Sequence, residues 1–285
     1  MCENQKELVI VILNYMDFID TDECVQSVLR QNYKDYHILI VDNNSNNNSY
    51  AYLRRKYLNY NQVSVIKTRK NYGFAKGNNI GICYAKKHFQ ARYVLLLNSD
   101  IVLEDPEYVN KMLASDSAKI GVIGSRIIEP NDFVINRLYR YVFFPSTLFY
   151  YWTWKSGYKE HPLYQEFFKK RLSAYQGVYV LKGCVLLLTP AYFKYYKGLD
   201  PRTFLYCEEE LLYLRCKKVG LAEKFNDNCC VYHKSGQSTS VLYGNVWNNF
   251  LGYLTSSYKI VLYESVKQLL HGRYSRKRKI ENHEE

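Results

Sequence analysis

Polar clusters follow short apolar runs at several points in the first 100 residues. One of them, Asn98-Ser99-Asp100, comes directly after the apolar run Tyr93–Leu97. An unbroken apolar run of this length is typical of a strand that is covered on both faces. Ligands bind beyond the carboxyl ends of such strands in open α/β sheets. Asp100 is therefore a candidate ligand for a hard cation that carries phosphate oxygens, although the three polar residues could also form an ordinary capped turn.

Three further polar groups would lie beside this one. Asn14 ends a first apolar run, and Asp42 ends a second and is followed by Asn43-Asn44-Ser45. A carboxylate at this position can accept hydrogen bonds from a base N–H or a ribose hydroxyl. The glycine-rich stretch Gly73–Gly81 could bring a loop and a helix N-terminus close to phosphate, or its glycines could serve tight helix packing.

The C-terminal half carries two more candidates. Three consecutive acids, Glu208-Glu209-Glu210, open a helix predicted over Glu209–Val219. Acids in a first turn are ordinary partners of the helix dipole, but three together after an aromatic segment also suit acid–base chemistry. His233 ends a predicted strand, Cys229–His233, and is either structural or part of the site.

These side chains need a scaffold that brings them together. Strand, polar loop and helix alternate four times by residue 113, which predicts an α/β fold with a doubly wound, mostly parallel sheet. Right-handed crossovers would place the polar strand ends at one edge. Further strands are predicted at Ile120–Gly124 and Tyr179–Leu188, and amphipathic helices at Tyr243–Leu270. The aromatic segment Tyr139–Trp154 belongs either to the core or to an acceptor-facing or membrane-facing surface.

Composition restricts the class of protein. The net charge of +12 over 285 residues implies an anionic partner, and part of the excess lies in a basic tail at 273–279. The eight cysteines are scattered without C-x-x-C spacing, which favours reduced thiols in a cytoplasmic protein. No signal peptide and no membrane-spanning run is visible. We expect a cytoplasmic protein, with the tail able to hold it at the inner face of the plasma membrane.

The motifs, taken in order, resemble family-2 glycosyltransferases of the GT-A fold. The similarity is greatest to the rhamnosyltransferase-like members of bacterial polysaccharide assembly. The matching pieces, between residues 8 and 238, are VIVILNY, VDNNS, NYGFAKGNNIG, LLNSDIVLEDP, GCVLLLTPAYFKYYKGLD, FLYCEEELLYLRCKKVG and VYHKSGQS.

The resemblance implies a Rossmann-like, mostly parallel central sheet flanked by helices. It also implies a sugar-transfer activity. A sugar, with rhamnose as one candidate, would move with inversion from a nucleotide-diphosphate donor to a hydroxyl of a polysaccharide or lipid-linked glycan. The GT-A domain would span 1–240, with its nucleotide-binding half at 1–125 and its acceptor half at 126–240. Residues 241–285 would form a C-terminal helical extension with the basic tail.

The resemblance also implies roles for individual residues. Asp100 matches the last acid of the family's Asp-x-Asp, with Asn98 at the first position, and His233 matches a later ligand for Mg²⁺ or Mn²⁺. Glu209 would be the base that deprotonates the acceptor, with Glu208 as the alternative. Arg215 would meet the diphosphate or pair with an acid. The expected nucleotide-sugar-binding residues are Asn14, Asp42, Asn44, Gly73, Asn78, Ser99 and Arg215.

Other functions compete with this one. A catalytically inactive nucleotide-sugar binding protein would keep the pocket without turnover. A sugar-phosphate nucleotidyltransferase would need a glycine-rich phosphate loop after the first strand, where this chain has Asn14-Tyr15-Met16-Asp17. Nucleic acid is not expected as a partner, because the basic residues form no recognisable reading motif.

Overall fold

The fold is that of a computed structural model, which describes residues 6–135, 137–155, 177–234 and 246–281. The strands are β1 Leu8–Asn14, β2 Tyr36–Asp42, β3 Val63–Lys67, β4 Tyr93–Asn98, β5 Ile101–Val102, β6 Ile120–Glu129, β7 Phe133–Ile135, β8 Leu138–Arg140, β9 Val178–Val180, β10 Val185–Leu188 and β11 Ala222–His233. The helices are α1 Phe18–Leu29, α2 Ser49–Lys56, α3 Gly73–Phe89, α4 Tyr108–Leu113, α5 Ser146–Lys155, α6 Pro190–Phe193, α7 Glu208–Lys218 and α8 Val246–Glu281.

The main sheet is parallel on one side and mixed on the other. Its order is β3-β2-β1-β4-β10-β6-β11-β5, with β7 added to β6, while β8 and β9 form a separate pair. Strands β3, β2, β1 and β4 are parallel, and β10 runs antiparallel between β4 and β6. In this register Asn14 lies opposite Asp42, and Leu13 lies opposite Asn98. The predicted α/β scaffold is confirmed, and its polar strand ends meet at one edge.

Both faces of the sheet are covered, which explains the unbroken apolar runs. Alternate residues of β1 enter two separate clusters, Leu8, Ile10 and Ile12 on one face and Val9 and Val11 on the other. Helices α1, α2 and α4 contribute to the first cluster, and α3, α6 and α7 contribute to the second. A strand with helices on both sides has no solvent face to supply polar alternation.

The glycine-rich stretch is not a loop, as it was predicted to be, but the beginning of α3. A Cβ on Gly81 would lie 2.4 Å from Val11 Cγ1, so this glycine allows the helix to pack closely on β1. Gly73 has a left-handed φ of +77°, and a Cβ there would meet the carbonyl oxygen of Phe204 at 2.1 Å. Gly81 is therefore a glycine because α3 packs tightly on β1 there. Gly73, in contrast, has a backbone conformation that favours glycine.

Two predicted strands have different bounds in the structure. The run Tyr179–Leu188 is not one strand but two, β9 and β10, interrupted at 181–184. Strand β6 continues to Glu129, five residues beyond its predicted end at Gly124. Side-chain hydrophobicity marked the apolar cores of these strands but not where the backbone leaves the sheet. Both differences place polar residues at the carboxyl-end edge.

Helix α1 also begins earlier than predicted, at Phe18. The side chain of Asp17, not the predicted Asp20-Thr21-Asp22 segment, caps it by accepting a hydrogen bond from the Asp20 backbone N–H at 3.3 Å. The aspartates further along lie within the first turns, where acids favour the helix dipole. Several neighbouring polar residues could each cap the helix, and the sequence does not indicate which of them does.

The aromatic segment is mainly core. Tyr151 and Trp154 of α5 are buried in a third cluster with Leu211 of α7 and Tyr258 of α8, whereas Trp152 is 53% exposed. Helix α8 packs against α5 and α7, and the division of the chain at 240 lies outside the described residues and stays a prediction. No helix in the described segments combines the length and apolar composition that a bilayer span requires.

Candidate active site

A cavity of about 480 Å³ opens where the polar strand ends meet the start of α7. Its lining comes from both halves of the sequence: Leu13, Tyr15, Asn43, Asn71, Gly73, Phe74, Asn98, Ser99, Asp100, Glu129, Lys182, Gly183, Cys184, Phe204, Leu205, Tyr206, Glu208, Glu209 and His233. The predicted site residues Gly73, Ser99, Asp100, Glu208, Glu209 and His233 are therefore brought together. Chain segments more than 100 residues apart converge here because β11 returns beside β5 and α7 packs over the second face.

Asp100 and His233 face one another inside this cavity. His233 lies opposite Ile101 in the β11–β5 ladder, and Ile101 directly follows Asp100 in the chain. Asp100 Oδ2 is 3.3 Å from His233 Nε2, and both side chains are about nine-tenths buried. The last residue of β11 thus lies against the loop after β4. The resemblance implied these two residues as ligands of one ion, and that role stays a prediction.

A second carboxylate and a lysine lie on the other side of the imidazole. Glu129 Oε1 is 3.1 Å from His233 Nδ1, and Lys182 Nζ is 3.3 Å from the same nitrogen and pairs with Glu129. When Nδ1–H donates to Glu129, the lone pair of Nε2 points towards Asp100. Among the described residues that line the cavity, Lys182 is the only Lys or Arg.

These residues suit a divalent cation that is shared with a ligand. No group of three or more metal-ligating side chains occurs among the described residues. Mg²⁺ commonly takes one or two carboxylates from the protein and completes its shell with phosphate oxygens and water. Asp100 and the Nε2 atom of His233 would supply two positions, and Glu129 would orient the ring as an outer-shell partner.

Glu209 is the carboxylate best placed to react with a bound molecule. It is half-buried and lines the cavity, and its Oε1 atom accepts a hydrogen bond from the Gly183 backbone N–H at 3.1 Å. A Cβ on residue 183 would lie 2.9 Å from that oxygen, so a glycine lets the backbone approach. One carboxylate oxygen is held in place, which orients the group toward the cavity.

Glu208 has a different environment although it is the next residue. It is 8% exposed, and its Oε1 atom has no hydrogen-bond partner among the described residues. Burial, reinforced by the charge of Glu209, raises the pKa of Glu208 to about 8. Glu208 is therefore mainly protonated at neutral pH, which makes it a poor base and a candidate hydrogen-bond donor.

Glu210, the third acid, points away from the cavity into the third cluster. Its Oε1 atom pairs with Arg140 Nε at 3.0 Å and lies 3.5 Å from the Tyr258 hydroxyl. The ion pair joins β8 to α7, and the Tyr258 hydroxyl joins α8 to the same carboxylate. The acidic triplet thus divides into one structural and two cavity-lining residues, a division that its spacing alone did not reveal.

The predicted nucleotide-contacting pair Asn14 and Asp42 is fully buried. Asp42 Oδ2 accepts from Asn14 Nδ2 at 2.7 Å, and Asp42 Oδ1 accepts from the Ser45 backbone N–H at 2.9 Å. Both carboxylate oxygens are thus engaged within the protein. Asn43, the next residue, lines the cavity instead, and its side chain bonds to Asn71 and to the backbone at Tyr72 and Gly73. A nucleotide role for Asp42 stays a prediction.

Three other predicted residues lie outside the cavity lining formed by the described chain. Asn44 is half-buried with a left-handed φ of 62°. Asn78 is buried within α3 and donates to the carbonyl of Phe74 at 3.0 Å. Arg215 donates to the carbonyl of Gly198 at 3.0 Å and stacks on the Tyr196 ring at 4.1 Å. The two roles expected for Arg215, contact with the diphosphate or an ion pair with an acid, stay predictions.

Sequence reasoning missed Glu129 and Lys182 as site residues. The signal for Lys182 was present, because Lys182-Gly183 interrupts an otherwise apolar run. Glu129 lay beyond the predicted end of its strand, and no pattern connected it with residues 182 and 233. Their proximity depends on β6, β10 and β11 being neighbours in the sheet, although they are distant in sequence.

Comparison with known proteins decides the family. The family model "Glycosyl transferase family 2" matches residues 8–177, more than half of the chain. The chain belongs to glycosyl transferase family 2. Beyond the matched region, this family-2 chain continues with α7, which supplies Glu208 and Glu209 to the cavity, and β11, which supplies His233. The rhamnosyl subtype is not decided by the match.

Among curated proteins, this family-2 chain is 30% identical over 83 residues to glycosyltransferase GlyG of Streptococcus pneumoniae, which covers 29% of the chain and 26% of GlyG. It is 23% identical over 130 residues to the low-salt glycan biosynthesis hexosyltransferase Agl10 of Haloferax volcanii, covering 46% of the chain and 39% of Agl10. The matched segments thus span well under half of either relative.

Solved structures confirm the predicted GT-A fold. The mannosyltransferase PcManGT of Pyrobaculum calidifontis, in complex with GDP-Man and Mn²⁺, aligns with a TM-score of 0.56 at 9% identity, covering 95% of this chain and 76% of PcManGT. GalNAc-T7 with UDP, GalNAc and Mn²⁺ aligns with a TM-score of 0.58 at 15% identity, covering 83% of this chain and 46% of GalNAc-T7. TarS of S. aureus (residues 1–349) aligns at 0.55 and 14% identity, covering 91% and 70%.

Proposed function

We propose that this protein is an inverting glycosyltransferase that moves a sugar from a nucleotide-diphosphate donor to a hydroxyl of a glycan acceptor. The observation that carries the proposal is the cavity itself. The half-buried Glu209 and the facing pair Asp100–His233 share this one cavity at the carboxyl ends of parallel strands. Family membership and the nucleotides bound by the structural neighbours support the same donor class.

The donor would lie with its nucleoside towards β1, β2 and the start of α3. Asn43, Asn71 and Gly73 line that part of the cavity. The diphosphate would then reach Asp100, His233 and the ammonium group of Lys182. A bound Mg²⁺ or Mn²⁺ would neutralise charge on the leaving diphosphate. Lys182 would add a fixed positive charge from the protein.

Glu209 would act as the general base. It takes the proton from the acceptor hydroxyl while that oxygen bonds to the anomeric carbon of the donor sugar. The bond from this carbon to the diphosphate oxygen breaks, and the nucleoside diphosphate leaves with the electron pair. Because the hydroxyl attacks from the face opposite the diphosphate, the configuration at the anomeric carbon is inverted.

Glu208 would assist without acting as a base. Its buried, unpartnered Oε1 and its raised pKa of about 8 make it a neutral carboxylic acid at pH 7. A neutral neighbour avoids a second negative charge beside Glu209 and the diphosphate, where like charges would repel. This environment favours Glu209 over Glu208 as the base.

The acceptor class and the cellular location belong to the same proposal. The acceptor would be a polysaccharide or a lipid-linked glycan, and the donor sugar a hexose or deoxyhexose such as rhamnose. The protein would work in the cytoplasm, where its basic segment 273–279 could bind the anionic inner face of a bacterial plasma membrane, since each Lys or Arg near such a surface contributes ~1 kcal/mol.

The test is hydrolysis of a panel of UDP-, GDP- and dTDP-linked sugars, dTDP-rhamnose included, with and without Mg²⁺ or Mn²⁺. We expect slow release of nucleoside diphosphate from one donor and faster release with metal. Proton NMR of the product formed with an accepted glycan should show the inverted anomer. Absence of both binding and hydrolysis across the panel would contradict the proposal, and a product of retained configuration would contradict inversion.

A further inference from the structure

A second concave surface lies beside the active-site cavity and has no role in the chemistry described above. It is a groove of about 540 Å³ between β7 and the β8–β9 pair. We call it the tyrosine groove and define it by Phe133, Val134, Arg137, Leu138, Tyr139 and Tyr179. Phe133 is 64% exposed and Tyr179 is 61% exposed. Exposed apolar rings gathered in one groove mark a binding surface more often than scattered ones do.

Two strands connect residues that line the groove with residues that line the cavity. Phe133 lies directly opposite Glu129 in the β6–β7 ladder, and Glu129 lines the cavity. Tyr179 is in β9, and the chain then runs through Leu181 to Lys182 and Gly183, which also line the cavity. A molecule that leaves the cavity along these strands therefore enters the groove.

The groove begins on the side of the cavity away from the proposed nucleoside site. Strands β1 and β2, which carry the nucleoside side, lie on one side of β4, whereas β10 and β6 lie on the other. The donor would occupy the first side. The second side is left for the other substrate, whose reacting hydroxyl must reach Glu209.

The side chains of the groove suit a carbohydrate. The rings of Tyr139 and Tyr179 are 5.3 Å apart at 68°, and the Tyr139 hydroxyl accepts a hydrogen bond from the Gly177 backbone N–H at 2.8 Å. Tyrosines combine a flat apolar face with a polar tip, as sugars combine C–H faces with hydroxyls. The exposed Arg137 adds hydrogen-bond donors at the same place.

We infer that the tyrosine groove binds the acceptor glycan and holds the sugar units behind the one whose hydroxyl reacts. This inference rests on the proposed function and makes it more specific: the acceptor is an oligosaccharide chain rather than a single sugar. Tyr179 and Phe133 are binding residues for the acceptor and do not touch the donor. Affinity for the acceptor should therefore rise with its length.

The experiment compares Tyr179→Ala, Phe133→Ala and Tyr179→Phe with the wild type. Tyr195→Ala is the matched control, since Tyr195 is 55% exposed and lies outside the groove, after α6. The probes are linear hexose and deoxyhexose oligosaccharides of increasing length, starting from the monosaccharide. Binding is measured with nucleoside diphosphate present, and transfer is measured with the donor found above. Donor hydrolysis without acceptor is measured in parallel.

We expect Tyr179→Ala and Phe133→Ala each to raise the KM or Kd of the longer oligosaccharides about three- to tenfold. The value for the monosaccharide should change much less, and Tyr179→Phe and Tyr195→Ala should behave like the wild type. Donor hydrolysis reports on the cavity separately, so its absence in the wild type would contradict the proposed function on which this inference rests. Intact hydrolysis without any dependence on acceptor length would contradict this inference alone.

Two results would overturn the inference. One is a wild type that hydrolyses donor but binds no oligosaccharide of the panel, or binds all lengths equally. The other is an unchanged oligosaccharide affinity in Tyr179→Ala together with lost sedimentation on vesicles of phosphatidylglycerol and phosphatidylcholine. That second result would show that the groove faces a membrane.

Discussion

The two sides of the active-site cavity differ in how their polar groups are satisfied. On the β1–β2 side, Asn14, Asp42 and Ser45 bond to one another, and both oxygens of Asp42 are engaged. On the α7 side, Glu208 keeps a buried oxygen without a partner among the described residues. The group formed by Asn14, Asp42 and Ser45 is complete without a ligand, whereas the α7 side holds a group whose partner a substrate could supply.

This contrast separates stability from chemistry. A buried polar group that is fully hydrogen-bonded holds the backbone in place, and its loss costs folding free energy. A buried group without a partner lowers stability and persists where it has another use. We therefore expect substitutions on the β1–β2 side to lower stability, and substitutions on the α7 side to change activity, ligand binding or the pH dependence of stability.

The largest effect is expected for Glu209→Gln. Loss of the general base should lower the rate of sugar transfer by ~10²–10⁴-fold, while the hydrogen bond from Gly183 to the side-chain oxygen can be kept. Steady-state transfer and donor affinity should be measured together. Glu104→Gln, at an exposed acid, is the control, and an equal loss of donor affinity would show that Glu209 binds rather than catalyses.

Asp42→Ala tests the opposite side. It removes the acceptor for Asn14 and Ser45 and should lower the free energy of unfolding by about 2–3 kcal/mol. Urea denaturation measures this, with Asp227→Ala at an exposed aspartate as control. Unchanged stability combined with lost affinity for the nucleoside diphosphate would instead make Asp42 a nucleotide ligand, as the sequence predicted, and would break the contrast.

The stability advantage of Glu208→Gln over the wild type should grow as pH rises. The folded-state pKa of Glu208 is raised from 4.5 to about 8, so folding takes up a proton between these values. The stabilising protonated form is fully populated below the ordinary pKa and is lost as pH rises through about 8. Glutamine stays neutral, and its advantage over the wild type should reach about 4 kcal/mol near pH 8.

Urea denaturation of wild type and Glu208→Gln at about pH 5 and at about pH 8 checks this sign. The two proteins should differ least at the lower pH, and Glu104→Gln should follow the wild type at both. A constant difference across the range would mean that Glu208 is ionised in the folded protein. It would then be an alternative base to Glu209.

The smallest effect is expected for Lys182→Met. Loss of the cavity-lining ammonium should weaken binding of UDP or GDP about five- to tenfold, ~1 kcal/mol. Calorimetric titration with and without Mn²⁺ measures it, and Lys194→Met, at an exposed lysine, serves as control. If wild type and Lys182→Met bind the nucleotide equally well, with and without Mn²⁺, Lys182 only pairs with Glu129 and does not contact the diphosphate.

Periodicity predicted the parallel half of the fold well, because β1, β2 and β4 are covered on both faces and their apolar runs leave little ambiguity. The antiparallel half was harder. Short strands such as β5 and β9 bury few residues, and a single sequence does not indicate which of them pair. The same limit applied to α3, whose glycines resemble a loop until β1 is known to pack against them.

The candidate site divides in the same way. Acids that end strands or open helices, such as Asp100 and Glu209, were recognisable from local pattern. Glu129 and Lys182 were not, because their function as partners of His233 depends on strands far apart in sequence. The division of Glu208, Glu209 and Glu210 into different environments also depends on what packs on each side of α7.

The sequence by itself determined the α/β architecture, the edge at which the polar strand ends meet and the candidate carboxylates, because hydrophobic periodicity and strand order are local properties. The tertiary structure alone decided which polar groups are satisfied, which acid stays protonated and which surface adjoins the cavity. Those properties depend on burial and on distances between segments, and the free energy of a buried charge is set by its neighbours in space.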